Sequence, residues 1–173
     1  IRRDKRLELV PEIAKKVEGV EFRVIGHVHD GDYHEELLRA TEKIGVEDRV
    51  RFETGLDRRG LLRSLVEAKV YLHTMPFEHF GISPVEAMAA GLVPVVPRSG
   101  GPYRDVLDGK QGEYGYWYEG VQDAADRITG LLCDERLRER LSVKCVERSK
   151  MFDTGVFRDN FASYIDLAQD GFH

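Results

Sequence analysis

Short runs rich in β-branched and aromatic residues alternate along this chain with longer runs whose apolar residues recur at helical spacing. That alternation constrains the fold more than any other feature. Parallel strands cannot be joined by tight turns, so each strand needs a crossover, and helical crossovers cover the faces of the sheet they connect. The expected fold is therefore α/β, a parallel sheet sandwiched by helices. Five strands are expected, roughly Glu21 to Ile25, Val50 to Glu53, Val70 to Thr74, Val93 to Val96 and Tyr114 to Tyr118. Between them Leu7, Val10, Ala14 and Val17, then Leu37, Ala40 and Ile44, then Leu61, Leu62, Leu65 and Ala68 repeat at helical spacing. Two further helices are expected over Val121 to Cys133 and Asp134 to Lys150, where abundant Arg and Glu read as a solvated face.

With 173 residues and 42% apolar composition, the chain can bury one core, so residues 1–173 read as a single domain. The 26 Lys and Arg against 31 Asp and Glu leave a net charge of -5, which argues against nucleic acid as a partner. Any anion must be held locally. No apolar run approaches the roughly 18 residues of a membrane span, and no signal segment opens the chain. Cys133 and Cys145 match neither a redox pair nor a zinc knuckle, so both are expected to be reduced structural thiols in a cytoplasmic protein. The chain starts without Met, at Ile1-Arg2-Arg3-Asp4-Lys5, and reads as cut from something longer.

In open parallel sheets ligands bind beyond the carboxyl ends of the strands, which directs attention to three loops. The first, Gly26-His27-Val28-His29-Asp30-Gly31, runs on into Asp32 and Tyr33 where a phosphate loop needs Lys and Ser or Thr. No Gly-x-Gly-x-x-Gly follows any strand, which excludes the dinucleotide fingerprint. His27, His29, Asp30, Asp32 and His34 could ligate a metal, or could simply form a polar loop. The second loop is Thr74 to Gly81, leading into Ile82-Ser83-Pro84-Val85-Glu86 and closing at Gly91. Ser83 reads as a helix N-cap, Pro84 as the first helical residue and Gly91 as the stop. The free amides of such a helix start make a phosphate site, and Glu78 just upstream would sit beside whatever that phosphate carries. Glu86 has two readings: a ligand contact, or the acidic member of a capping box with Ser83. In the third loop, Ser99-Gly100-Gly101-Pro102, two glycines would let a ligand approach the backbone, or form an ordinary turn.

The run from Glu78 to Gly91, with Pro94-Val95-Val96 and Ser99-Gly100-Gly101-Pro102, resembles the donor-binding core of the retaining GT-B glycosyltransferases of family four. Their signature is two glutamates separated by seven residues, which Glu78 and Glu86 match. The resemblance extends from Lys5, placed in the first helix, to the terminal helices, and Leu72-His73-Thr74-Met75 looks like the mannosyltransferases that extend the dolichol-linked oligosaccharide. It implies a Rossmann-like fold forming the C-terminal half of a GT-B enzyme. Carried over residue by residue, it implies that Glu78 bonds the sugar hydroxyls and Glu86 the ribose. The turn Phe80, Gly81, Ile82 and Ser83 would approach the sugar and distal phosphate, and Lys5 would neutralise the diphosphate. Gly26 would border the donor, while Leu56 and Asp57 would flank the base. A partner arginine for Lys5 would precede Ile1; neither Arg2 nor Arg3 is assigned that role.

The implied reaction transfers a sugar from a nucleoside diphosphate sugar to an acceptor hydroxyl with retention, using no metal or other cofactor. A guanosine diphosphate sugar is preferred to a uridine diphosphate sugar. The implied partners are the nucleotide sugar and an N-terminal acceptor-binding domain of the same enzyme, through which the enzyme could also touch a membrane. The chain alone is expected to bind donor without transferring it. Two rivals stand beside this reading: a non-catalytic nucleotide-binding module on a similar sheet, and a metal-dependent hydrolase built on the His27 to His34 loop. Residues 154–170 read as a terminal helix whose stripe of Phe157, Phe161, Tyr164, Ile165 and Ala168 either covers its own sheet or crosses to the N-terminal half.

Overall fold

Five parallel strands alternate with helices, in two hydrogen-bonded groups. The structure is a computed structural model that describes residues 1–170, with the side chains of residues 160 and 164–170 not described. Strands β1 (Phe22–Gly26) and β2 (Val50–Thr54) form one pair, with Phe22 opposite Val50. Strands β3 (Val70–Leu72), β4 (Val93–Pro97) and β5 (Tyr116–Tyr118) form the other group, in that order. The expected single sheet is thus interrupted between β1 and β3, where a cavity runs between Val20 to Gly26 and Lys69 to Met75. β3, only three residues long, pairs with β4 alone.

Helix α1 (Leu9–Lys16) bridges the interruption. Its Ile13, with Val17 just beyond its end, enters a core with Met88, Val93, Val95, Ile128 and Leu131. Val10 and Ala14 enter a second core with Val24, Val46 and Val50. Full burial of each large aliphatic side chain contributes about 1.5 to 3 kcal/mol, so one short helix ties the two strand groups together. Pro11 falls in its first turn, where no intrahelical amide is lost.

The remaining helices follow local signals. Asp30 caps α2 (Gly31–Ile44) by accepting from the Tyr33 amide at 2.9 Å. Asp57 caps α3 (Arg58–Glu67) through the Gly60 amide at 2.7 Å. Helix α4 (Ile82–Ala89) precedes β4, and α5 (Val121–Cys133) follows β5. Asp134 caps α6 (Glu135–Ser149) through the Leu137 amide at 2.9 Å. Only Leu141, Cys145 and Ser149 of α6 are buried, in keeping with a solvated charged face.

Three expectations need correction, and one of two open alternatives is decided. Lys5 lies in a 3-10 turn (Arg3–Lys5), and Arg6 at φ 52 separates that turn from α1. Strand β3 stops at Leu72, short of Thr74, and Tyr114 lies outside β5. Cys133 is exposed; only Cys145 is buried, and burial pushes its thiol up to about 12. The last helix, α7 (Thr154–Asp170), does not lay its described stripe on the sheet: Phe157 and Phe161 are 69% and 56% exposed and stack on each other. Tyr164, Ile165 and Ala168 lie outside the described side chains.

Candidate functional site

The loop between β3 and α4 is held by residues distant in sequence. Thr74 donates its hydroxyl to the Lys5 carbonyl at 2.5 Å. The Lys5 ammonium in turn bonds Glu78 Oε2 at 2.7 Å and lies 3.1 Å from Met75 Sδ. Two of the proposed site residues therefore meet across 73 positions. The Glu78 carboxylate is 19% exposed and Lys5 38%, so both remain within reach of a ligand.

The third loop turns out to serve this one. The Gly101 amide donates to the Glu78 carbonyl at 2.8 Å, and the Phe77 amide to Ser99 Oγ at 3.2 Å. A Cβ on Gly100 would stand 2.3 Å from the Glu78 carbonyl oxygen, and one on Gly101 2.2 Å from that of His79. What approaches these glycines is the backbone beside Glu78, not a ligand. Their lack of side chains is a condition for placing the carboxylate.

The start of α4 differs from the expected capping box. Gly81, at φ 85, is the N-cap and no side chain caps the helix. Its left-handed backbone, which glycine adopts without a Cβ clash, starts the helix two residues earlier than the Ser-Pro signal implies. Ser83 therefore lies inside the first turn, where its Oγ accepts from the Tyr71 hydroxyl at 2.8 Å. Glu86 is exposed and forms no box with it. The uncapped first-turn amides and the positive end of the helix dipole are features that favour an anion.

Lys5, Gly26, Ser83 and Glu86 line one cavity of about 740 Å³, and Glu78 is tied to it through Lys5. Gly26 closes the β1 side. Phe80, Gly81 and Ile82 are outside its wall: Phe80 packs edge-on against Phe152, and Ile82 is 69% exposed. Leu56 and Asp57 are likewise not part of it, and the Asp57 carboxylate is engaged as the α3 cap. In the first loop the His27 carbonyl accepts from the Ile1 ammonium, Asp30 caps α2 and pairs with Arg3 at 3.2 Å, and His34 packs edge-on against Phe52. Among the described residues no group of three His, Cys, Asp or Glu side chains is arranged to hold a metal ion.

Two further residues of the site escaped sequence reasoning. His73 is 4% exposed, lines the cavity, and has no partner for Nε2. Burial lowers its pKa to about 4, so the imidazole is neutral at pH 7. Its Nδ1 lies 3.3 Å from the Tyr71 hydroxyl, whose own pKa is pushed up to about 12 by burial and by the charges of Glu78 and Glu86. The available signal was a histidine at the carboxyl end of an otherwise apolar strand.

Comparison with known proteins identifies the family. The family described as glycosyl transferases group 1 matches residues 2–145, a span that contains every residue of the cavity just named. The chain belongs to the glycosyl transferases group 1 family. A GDP-Man:Man(3)GlcNAc(2)-PP-Dol alpha-1,2-mannosyltransferase of Dictyostelium discoideum is 31% identical over 162 residues, covering 92% of this chain and 32% of that protein. The Homo sapiens protein of the same name is 37% identical over 113 residues, covering 63% of this chain and 23% of that one. The chain thus spans about a quarter to a third of these relatives. Among solved structures, Anabaena HepE in complex with UDP superposes with a TM-score of 0.84 at 23% identity, covering 96% of this chain and 46% of that one. The C-terminal domain of a Francisella tularensis glycosyl transferase group 1 protein superposes with a TM-score of 0.76 at 22% identity, covering 87% of this chain and 80% of that one. The fold is accordingly that of a group 1 glycosyltransferase domain of GT-B type, and its sequence is mannosyltransferase-like.

Proposed function

We propose that this group 1 domain binds the nucleoside diphosphate sugar of a GT-B glycosyltransferase and that transfer, with retention, requires an N-terminal acceptor-binding domain as well. The observation that carries the reading is the Lys5–Glu78 pair at 2.7 Å beside the uncapped start of α4. Departure of the leaving group builds negative charge on the diphosphate, and a lysine next to a helix start meets that charge without reorganising solvent. In this reading Lys5 exchanges part of its bond with Glu78 for phosphate oxygens. Glu78 is then released to accept from sugar hydroxyls, while Glu86 accepts from the ribose and the backbone from Phe80 to Ser83 borders the distal phosphate. Gly26 borders the donor; Leu56 and Asp57 belong to the base side only through the loop they sit in. No metal or other cofactor enters the reading.

Guanosine diphosphate sugars are preferred to uridine diphosphate sugars on two grounds. The relatives at 31% and 37% identity carry GDP-Man in their names, and the run Leu72 to Met75 resembles the same class. The UDP bound in the Anabaena neighbour supports the nucleotide class, not the base. Cytoplasmic placement with peripheral membrane contact through the rest of the enzyme belongs to the same reading. No described helix is long and apolar enough to cross a membrane, and those relatives' names describe an acceptor on PP-Dol. A thermal-shift panel tests the proposal. GDP, UDP and their sugars should raise the melting temperature of the 173-residue chain at millimolar concentration clearly more than guanosine and uridine do. No shift with any diphosphate would sink it.

A further inference from the structure

Ser83 Oγ already accepts one hydrogen bond, from the Tyr71 hydroxyl at 2.8 Å, and the Tyr71 oxygen lies 3.3 Å from His73 Nδ1. A phenol has a single proton. Given to Ser83, it leaves the Tyr71 oxygen free to accept, so the imidazole must donate from Nδ1–H. The reverse order, Ser83 to Tyr71 to Nδ1, would put the imidazole proton on Nε2, which is buried without a partner. An orphaned buried N–H is a rarer and costlier defect than an unfilled acceptor. The chain of bonds therefore has one direction, from His73 through Tyr71 to Ser83, and it ends on a hydroxyl whose own proton is unused. Ser83 is exposed and lines the cavity in the first turn of α4.

We propose that Tyr71 and His73 are positioning residues for phosphate recognition: their one-way chain fills the acceptor side of Ser83 and turns its proton toward a phosphate oxygen of the bound nucleoside diphosphate. Neither residue touches the ligand. The inference rests on the donor-site reading above and adds a side-chain donor to the backbone amides at the helix start.

The test is calorimetry on the 173-residue chain with GDP and, in parallel, guanosine. Ser83→Ala and Tyr71→Phe should each weaken GDP binding roughly three- to tenfold, the worth of one hydrogen bond, and leave guanosine binding unchanged. The double variant should lose no more than Ser83→Ala alone, because both changes remove the same bond. His73→Leu should behave as Tyr71→Phe does, whereas His73→Asn, whose amide N–H can replace Nδ1–H, should keep most of the GDP affinity. GDP affinity unchanged in folded Tyr71→Phe, additive losses in the double variant, or equal losses for GDP and guanosine would overturn the proposal while leaving the donor reading intact. A wild-type chain that binds GDP no better than guanosine would overturn both.

Discussion

The two walls of the cavity are built differently. On the β3–α4 side the Glu78 loop is fixed from three directions: by Lys5 near the start of the chain, by the Gly100-Gly101 backbone, and by Tyr71 holding Ser83. Where α3 lines the cavity, through Leu61, Ser64 and Leu65, only Ser64 is buried, bonding Glu53 at 3.1 Å, and the same helix leaves Leu62 and Val66 51% and 77% exposed. One wall is set by long-range contacts and the other by a local cap. The difference assigns tasks. A rigid wall suits groups common to every donor, the diphosphate and the first sugar hydroxyls; a lightly packed wall suits the base, which differs among donors. Recognition in this chain should therefore be strict for phosphate and tolerant for base.

The largest effect is expected where the rigid wall is broken by volume. Gly101→Val puts side-chain atoms where the His79 carbonyl lies, 2.2 Å from the Cβ position, and should cost about 3 kcal/mol of stability, at the upper end for overpacking. Chemical denaturation measures this. A loss below about 0.5 kcal/mol, the size of an ordinary surface change, would show the loop to be free to move. Next comes Glu78→Gln in the full-length enzyme. Losing a charge-assisted bond to the sugar should cost roughly 1.5 to 3 kcal/mol of transition-state binding, read as kcat/KM, with the fold intact. Normal transfer by the folded variant would remove Glu78 from the site.

A pH effect follows from His73. Its pKa falls from 6.5 to about 4 on folding, so between those values the unfolded chain binds a proton that the folded chain does not. Stability is then highest above the unfolded pKa and declines as pH falls toward the folded one. Between pH 7 and pH 5 the loss should be about 2 kcal/mol, and His73→Asn should abolish most of it. An identical pH slope in the variant would assign the loss to other groups. The smallest effect belongs to the loose wall: Asp57→Ala should cost about 1 kcal/mol as a lost N-cap. GDP affinity should be nearly unchanged, because a tolerant wall adds little to it, and a large drop would show that recognition of the base is strict.

The sequence made the elements legible because they rest on local periodicity. Val121 to Cys133 is a helix from end to end, and all five strands exist within a few residues of their expected bounds. Local signals failed where a distant contact decides. Ser-Pro-Val-Glu carries every mark of a capping box, yet Gly81 starts the helix and Tyr71 takes the serine. Gly100 and Gly101 read either as room for a ligand or as an ordinary turn, because nothing in their neighbourhood announces the Glu78 backbone that packs against them. Lys5 is reached only through family resemblance, and it lies in a 3-10 turn instead of the first helix because the break at Arg6 is a backbone conformation that no side-chain pattern encodes.

The central claim, that phosphate recognition is anchored on Lys5 next to Glu78, is tested most directly by titrating wild-type and Lys5→Ala chains with GDP and with guanosine in a calorimeter. The wild type should bind GDP in the high-micromolar to millimolar range, about -4 to -6 kcal/mol. Lys5→Ala should weaken GDP binding roughly tenfold, the scale of a bond to a charged group, and leave guanosine binding as it was. Equal losses for the diphosphate and the nucleoside, or no loss for either, would contradict the account.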